Sequence, residues 1–411
     1  MSKQKEIIIL GGGQAGAYAA KEIRMINSHS NLTILTEEDT LPYERPPLSK
    51  DCLLDKMNYE KCLFFPQSFY DENNINCIRN EKINRVDFEN KRLHSNKNNF
   101  YNYDKLLIAT GSVNKKIDID GLNSDDENII YLRSMKDSKA IKEKIEFASN
   151  IVIVGGGFIG LELASSANQM KKKVTVLEQT NQLMGRVIPQ QISKTIQDLH
   201  EKNGNKILLN TSIKKIKKKN NSFEIILDSN KILETDLIII GIGSKPNTDI
   251  FMNSSLEIDN GIITDEFSQT SEEDVYAAGD VSNFFHPFYG TYMRLESFKH
   301  AQNHGINAGR NIVGRKTSYN QIPWMWSDQF NLNLQMTGVC IDYETFAKRG
   351  QSISEGIIYF FLKNRKIIGA CGVGVGGKIG RDIRLAAKLS KNKTKVTKEL
   401  LSDKNQKLNK I

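Results

Sequence analysis

The chain has no C-x-x-C pair, and its five cysteines, Cys52, Cys62, Cys77, Cys340 and Cys371, fall without metal-ligand spacing. Dithiol redox chemistry and a structural or catalytic metal are therefore not expected. No apolar run is long enough to span a bilayer, and MSKQKE is too short and polar for a signal peptide, so a cytoplasmic protein with no membrane attachment is expected. Tryptophan is scarce: Trp324 and Trp326 are the whole supply, and they could stack on a planar ligand or fill a domain boundary. Acidic charge is in deficit, leaving a formal net charge of +9. The lysines cluster in Lys214 to Lys219 and Lys388 to Lys410, which read as loops and a tail among many asparagines, and no nucleic-acid module is legible. A solvated basic surface is the expectation, with no nucleic-acid partner.

What is present is a complete dinucleotide-binding βαβ unit, IVIVGGGFIGLELASSANQMKKKVTVLE, from Ile151 to Glu178. Ile151 to Val154 is a continuous β-branched run, as in a parallel strand covered on both faces. Gly155, Gly157 and Gly160 follow with G-x-G-x-x-G spacing, for a tight turn, a close backbone approach to pyrophosphate, and helix-on-strand packing. A helix with Leu161, Leu163, Ala164 and Ala167 on its apolar face comes next. Val174 to Leu177 is the second strand, and Glu178 stands where a ribose hydroxyl needs an acceptor. The pattern occurs twice. Glu6 to Leu10 is a strand, Gly11, Gly13 and Gly16 repeat the spacing, a helix runs to about Ile26, and Leu32 to Leu35 leads to Glu37. Two such units in one chain imply two dinucleotides held by separate domains.

Between and beyond these units the signals are weaker. LPYERPPLSKD, Leu41 to Asp51, reads as a rigid proline loop and not a helix, presenting Arg45 and Lys50 to a ligand. Lys105 to Ala109 is a strand ending in Ala109, Thr110 and Gly111. Asn114 to Asp126 reads as a linker, with Arg133 close to the crossing. Asp236 to Ile240 is a buried strand running into Gly241, Ile242 and Gly243, and Val275 to Ala278 precedes Gly279, Asp280 and Val281, where a helix could begin and Asp280 could cap it or accept from a ribityl hydroxyl. RLESFKHAQNHGINAGRNIVG is a helix with small residues on one face. From about Tyr359 the chain turns to glycine-rich strands, a helix through Leu389 and a Lys-rich tail.

GGGQAG, RPPLSK, ATG, GGGFIGLELA, GIG with Pro-Asn, AAGDV, RLES with AQNHG, and PWMWSDQ stand in one order along almost the whole chain. In these motifs the chain resembles the FAD-dependent NADH:ferredoxin reductases of bacterial oxygenase systems, in particular the reductase component of aromatic-ring dioxygenases of the phenylpropionate type. The resemblance implies an α/β fold of glutathione-reductase-like architecture: an FAD-binding domain of residues 1–115 and 245–320, an NADH-binding domain of residues 116–244, and a small C-terminal α+β domain of residues 321–411. It implies that Gly11, Gly13, Ala15, Gly16 and Glu37 hold the adenosine and pyrophosphate of non-covalent FAD, with Arg45, Lys50, Ala109, Thr110, Arg133, Asp280 and Val281 along the remainder and Trp326 flat on the isoalloxazine. Gly157, Ile159, Gly160, Glu162, Glu178, Arg186 and Gly243 are implied to meet NADH, with Lys50 and Glu162 close together where the nicotinamide enters.

The implied reaction is hydride transfer from nicotinamide to flavin, then single electrons to a [2Fe-2S] ferredoxin, of the Rieske or the P450 type. The protein is expected as a monomer or homodimer. Two positions depart from the family pattern, Phe298 after RLES and the GVGVGGKIG strand. Competing readings are an NADH oxidase, peroxidase or disulfide reductase, which needs a redox cysteine where Tyr43 to Pro46 stand, a membrane quinone reductase, which needs an amphipathic anchor, and a non-enzymatic flavin-binding signalling protein.

Overall fold

In the computed structural model, which describes residues 4–123, 125–340 and 342–411, the chain divides into two units. One comprises Met1–Glu44, Tyr59–Val113 and Ser244–Gln321, the other Arg45–Asn58, Asn114–Gly243 and Ile322–Ile411.

The first unit is built on a five-stranded parallel sheet, in the order Val275–Ala277, Lys105–Ile108, Glu6–Leu10, Asn31–Leu35, Ile75–Ile78. Side chains alternate along a strand, so the run Ile7 to Leu10 divides between two cores. Ile7 and Ile9 join Ala19, Ala20 and Ile23 of the helix Gln14–Ile26, while Ile8 and Leu10 join Leu106, Ile108 and Phe251. The small-residue face of the helix Phe298–Ile312 is explained by what it meets. A Cβ at Gly305 would stand 2.2 Å from the Ala15 carbonyl oxygen, and one at Gly309 would stand 2.9 Å from that of Ala19.

The second unit repeats the arrangement with Lys206–Leu208, Lys173–Leu177, Asn150–Val154, Leu237–Ile240 and Ile129–Tyr131, all parallel. It also holds an antiparallel five-stranded sheet in the order Trp324–Gln329, Leu332–Gly338, Lys366–Val375, Ile357–Lys363, Thr345–Arg349. The helix Gly380–Lys391 covers this sheet with Ile383, Ala386 and Leu389. Glycines in the Lys366–Val375 strand admit close neighbours: a Cβ at Gly372 would lie 2.8 Å from the Ile357 carbonyl oxygen.

Four sequence expectations need correction. Lys214 to Lys219 is not loop but most of the strand Ile213–Lys219, in which Ile216 is buried and lysines face outward, Lys215 pairing with Asp120 at 2.7 Å and Lys218 with Asp126. The Lys-rich tail is tied down, since the Arg349 guanidinium donates to the carbonyls of Leu401, Asp403, Lys404 and Gln406, and Leu401 and Leu408 are buried. The proline loop contains one 3-10 turn, Pro46–Ser49, because two prolines preset the φ it needs. No helix starts at Asp280; the chain turns at Gly279, at φ +82°, into the strand Ser282–His286.

Candidate active site

Each glycine turn separates into steric and open positions. In the first unit a Cβ at Gly11, whose φ is +122°, would lie 2.2 Å from the Ala109 carbonyl oxygen, and one at Gly16 would lie 2.1 Å from that of Gly11. These two glycines are required by the protein itself. Gly13 is different: nothing lies within 4 Å of the place its Cβ would occupy. It is the N-cap of the helix Gln14–Ile26 with no side chain capping it, so the helix's first N–H groups and positive end are directed at open space. The buried amide of Gln14 has no hydrogen-bond partner among the described residues. An open glycine, uncapped N–H groups and an unpartnered amide fit a pyrophosphate.

The second unit has the same build. A Cβ at Gly155, φ +108°, would lie 2.4 Å from the Gly241 carbonyl oxygen, one at Gly160 would lie 2.2 Å from that of Gly155, and one at Gly157 would have no neighbour closer than 4.0 Å. Gly157 likewise caps its helix, Phe158–Gln169, without a side-chain bond, and Ile159 beside it is exposed. Beyond the second strand the Glu178 carboxylate is already aimed: Oε2 accepts from the Gly156 N–H at 2.8 Å, and Oε1 accepts from the N–H and hydroxyl of Thr180, each at 2.8 Å. The Arg186 guanidinium lies over Gly243, its Nη2 3.0 Å from where a Cβ there would be.

Around the first turn, Ala15 contacts Gly279, Thr110 Oγ1 donates to the Asn247 carbonyl at 2.9 Å, Asp280 accepts from Ser112 Oγ at 3.1 Å, and Val281 is buried. Gly11 N–H donates to Leu35 and Gly155 N–H to Leu177, so the two strands are in matching register and Thr36 occupies the position of Glu178. Glu37 comes one residue later, its exposed carboxylate 3.6 Å from Lys82.

Arg45 and Lys50 belong to the second unit, where two hydroxyls hold their loop. Ser138 Oγ donates to the Leu48 carbonyl and Ser166 Oγ to that of Ser49, both at 2.7 Å. The Arg45 guanidinium donates to the Arg133 carbonyl. The fixed turn delivers Lys50 Nζ to within 3.0 Å of Glu162 Oε1. Glu162 is only 6 % exposed. Its carboxylate also accepts from Ser49 Oγ at 2.5 Å and Ser327 Oγ at 2.7 Å. A buried carboxylate must be paired and hydrogen-bonded, and this one is both, with charge-assisted bonds contributing about 1.5–3 kcal/mol each. Trp326 lies on the strand that carries Ser327; its Nε1 donates to Asp328 at 3.1 Å, and its ring stacks on Trp324 with centroids 5.3 Å apart.

The geometry thus brings Lys50 together with Glu162 and Arg45 with Arg133. Ser49, Ser138, Ser166 and Ser327 were not singled out from sequence. Ser49 and Ser327 lie inside RPPLSK and PWMWSDQ and could have been found there; Ser138 and Ser166 carry no local signal. No cluster able to hold a metal occurs among the described residues. Burial pushes the Cys340 thiol up to about 12 and the Cys77 thiol to about 11, so both stay protonated at neutral pH.

Two dinucleotide cradles on parallel sheets, followed by an antiparallel C-terminal sheet, define a two-dinucleotide reductase. The chain belongs to the pyridine nucleotide-disulphide oxidoreductase family, whose profile matches residues 5–305, and the reductase C-terminal family profile matches residues 324–411. It is 34% identical to a rubredoxin-NAD(+) reductase of Ectopseudomonas oleovorans, over 82% of this chain and 88% of that protein. It is 31% identical to the 3-phenylpropionate/cinnamic acid dioxygenase ferredoxin–NAD(+) reductase component of Photorhabdus laumondii, over 96% and 98%. The crystal structure of the ferredoxin reductase for the CYP199A2 system from Rhodopseudomonas palustris superposes with a TM-score of 0.94, covering 99% of each chain at 28% identity. Among the described residues no helix is long and apolar enough to cross a membrane.

Proposed function

We propose that this chain is an NADH-dependent ferredoxin reductase, passing electrons from NADH through non-covalent FAD to a [2Fe-2S] ferredoxin that serves a terminal oxygenase. The observation that carries the reading is the occurrence in one chain of two cradles with the same division into steric and open glycines. The ferredoxin–NAD(+) reductase component from Photorhabdus laumondii supports it along almost the whole length. The FAD-binding domain is residues 1–115 with 245–320, the NADH-binding domain residues 116–244, and the C-terminal domain residues 321–411.

Bound FAD supplies the redox chemistry, taking a hydride from NADH and releasing electrons singly. The chain's residues position and neutralise. Gly11, Gly13, Ala15, Gly16 and Glu37, with Ala109, Thr110, Asp280 and Val281, hold FAD. Gly157, Ile159, Gly160, Glu178, Arg186 and Gly243 hold NADH. Lys50 supplies a preorganised positive charge for the negative charge that arrives with the hydride, Glu162 fixes that ammonium, and Trp326 offers a flat apolar face to a ring. Arg45 and Arg133 add guanidinium groups suited to phosphate.

Purified protein is expected to be yellow, to contain FAD and not FMN, and to be bleached by NADH in stopped flow. Lys50→Ala is expected to keep its flavin and to slow that bleaching on the order of a hundredfold, the effect of a few kcal/mol of electrostatic stabilisation. A mutant that bleaches at the wild-type rate would leave Lys50 a structural cation. A second acceptor follows from the 34% relative, named a rubredoxin-NAD(+) reductase. Cytochrome c reduction coupled to purified ferredoxin or purified rubredoxin decides between them.

A further inference from the structure

Glu162 is the end of a longer polar chain that lies within the second unit. Ser327 Oγ donates to Glu162 Oε1 at 2.7 Å, Gln329 Nε2 donates to Ser327 Oγ at 3.1 Å, His200 Nε2 is 2.9 Å from Gln329 Oε1, and Asn205 Nδ2 is 3.0 Å from His200 Nδ1. Asn168 Nδ2 donates to Asn205 Oδ1 at 2.9 Å. An ionised carboxylate only accepts, and that constraint propagates. Ser327 must spend its hydrogen on Glu162 and so accepts from the Gln329 amide. The Gln329 carbonyl oxygen is then left to accept from His200, which makes His200 the neutral tautomer with its proton on Nε2 and Nδ1 accepting from Asn205. Every donor points toward Glu162. His200 and Ser327 are fully buried, and burial lowers the His200 pKa from its ordinary value, which favours the neutral ring. Bonds aligned in this way polarise one another. Gln329, Asn205 and Asn168 are amides, which hold their protons, so the chain orients and does not conduct.

We propose that His200 is a positioning residue for hydride transfer: through Gln329 and Ser327 it fixes the Glu162 carboxylate, and thereby the Lys50 ammonium, in one orientation. This rests on the reading above that Lys50 acts in flavin reduction. His200 itself touches no reacting atom. A glutamine at its position can donate and accept in the same sense, whereas leucine can do neither.

The test uses flavin-loaded protein and single-turnover reduction by NADH. His200→Leu and Gln329→Leu are expected to lower the limiting rate roughly tenfold, the loss of about one buried hydrogen bond's worth of orientation, with the NADH dissociation constant unchanged. His200→Gln is expected to recover most of that rate. In a Lys50→Met background His200→Leu is expected to slow reduction no further, which a merely structural role would not produce. Independently of turnover, ¹⁵N NMR of histidine-labelled protein is expected to show, among the signals of neutral rings, one Nε2–H ring that disappears in His200→Gln. An imidazolium or Nδ1–H ring at His200, unchanged rates in both leucine variants, or equal slowing by His200→Leu in both backgrounds overturns the proposal. Should His200→Leu fail to fold, Gln329→Leu and His200→Gln carry the same comparison. Wild-type protein that NADH does not bleach, or Lys50→Met at the wild-type rate, defeats the functional reading instead.

Discussion

The two dinucleotide turns are the same device built from different sequences. A Cβ added at their steric glycines would meet backbone oxygens at nearly equal distances, 2.2 Å at Gly11 against 2.4 Å at Gly155, and 2.1 Å at Gly16 against 2.2 Å at Gly160. A Cβ at either middle glycine, Gly13 or Gly157, would meet no described atom outside its own chain neighbours closer than 4.0 Å. The units part company at the next polar residue. After its second strand the first unit has Thr36, whose Cβ would lie 2.8 Å from a Cβ at Gly12, whereas the second has Glu178 bonded to the Gly156 N–H. Backbone geometry sets what kind of ligand can be approached, and it is reproduced closely. In the proposed reading the side chain after the strand selects between variants of that ligand, and it differs between the two units.

The largest expected effects separate the steric glycines from the open ones. Gly11→Ala and Gly155→Ala place a methyl group on a carbonyl in a left-handed conformation that side chains rarely adopt, and each should disable its own cradle. Gly11→Ala is expected to purify colourless, and Gly155→Ala yellow but unresponsive to NADH. At Gly13 and Gly157 φ is −91° and −81°, so alanine fits the backbone and meets no protein atom. Those variants should melt within a few degrees of wild type and yet bind FAD or NADH on the order of a hundredfold more weakly, about 2.7 kcal/mol, because the methyl stands where pyrophosphate must approach. Calorimetry and flavin content distinguish the two classes, and a large fall in melting temperature at Gly13→Ala would erase the distinction.

A second difference between the units is in their buried histidines. The first holds His286, His300 and His304 around Phe284 and Tyr319, and His300 Nδ1 is 3.0 Å from the Tyr319 hydroxyl. Burial is the main cause that pushes His300 down to about 3 and His286 and His304 below their ordinary value of 6.5. Folded-state pKa values below the unfolded ones mean that the unfolded chain binds more protons. The associated stability is complete above pH 6.5 and is lost as pH falls below it, at up to about 1.4 kcal/mol per pH unit for each histidine. The second unit has His200 alone in this condition among its described residues. Hydrogen exchange at pH 7 and pH 5 should therefore show the Phe298–Ile312 helix losing protection before the Gln190–Lys202 helix does. Equal loss in both would mean that the three-histidine cluster does not set which helix opens first.

Much of the fold could be read because its constraints are local. G-x-G-x-x-G spacing after an apolar strand reports contacts made within a few residues, so both glycine turns and the place of Glu178 followed from pattern, whereas the α/β architecture was stated from the resemblance. The Lys50–Glu162 pairing came from resemblance, since nothing in periodicity joins residues so far apart. Charge concealed structure in two places. Lys214 to Lys219 hid a strand because only Ile213 and Ile216 mark its inner side, and the terminal lysines hid a tail held by Arg349. The hydroxyls of Ser138 and Ser166 were silent because each bonds a carbonyl far along the chain, at Leu48 and Ser49. His200 was silent for the same reason: on its helix it is one histidine among charged residues, and its partner Gln329 lies in another element.

The smallest effect concerns cofactor choice, and it comes from exchanging the residue that follows the second strand of each cradle. Glu178 uses three of its roughly four acceptor sites on Gly156 and Thr180, which leaves it fixed and still able to accept from an adenosine ribose hydroxyl. In NADPH one such hydroxyl is a phosphate. Like charges at contact distance repel by about 4 kcal/mol at an effective dielectric near 20, and by less where water reaches them. The Arg186 guanidinium beside Gly243 offsets part of that, but Gln179 and Thr180 bring no further positive charge. For the unmutated enzyme kcat/KM with NADH is expected to exceed that with NADPH by about two orders of magnitude. Glu178→Thr, which installs the residue that the first unit carries at this register, removes both the attraction to the hydroxyl and the repulsion of the phosphate. The ratio should then narrow to about tenfold or less, mainly through a higher KM for NADH, since a lost charge-assisted bond of about 1.5 kcal/mol is felt in binding before it is felt in the chemical step. Steady-state ferricyanide reduction with each nucleotide measures this. Near-equal efficiencies before mutation, or a ratio that Glu178→Thr leaves unchanged, would show that the carboxylate serves only to brace Gly156.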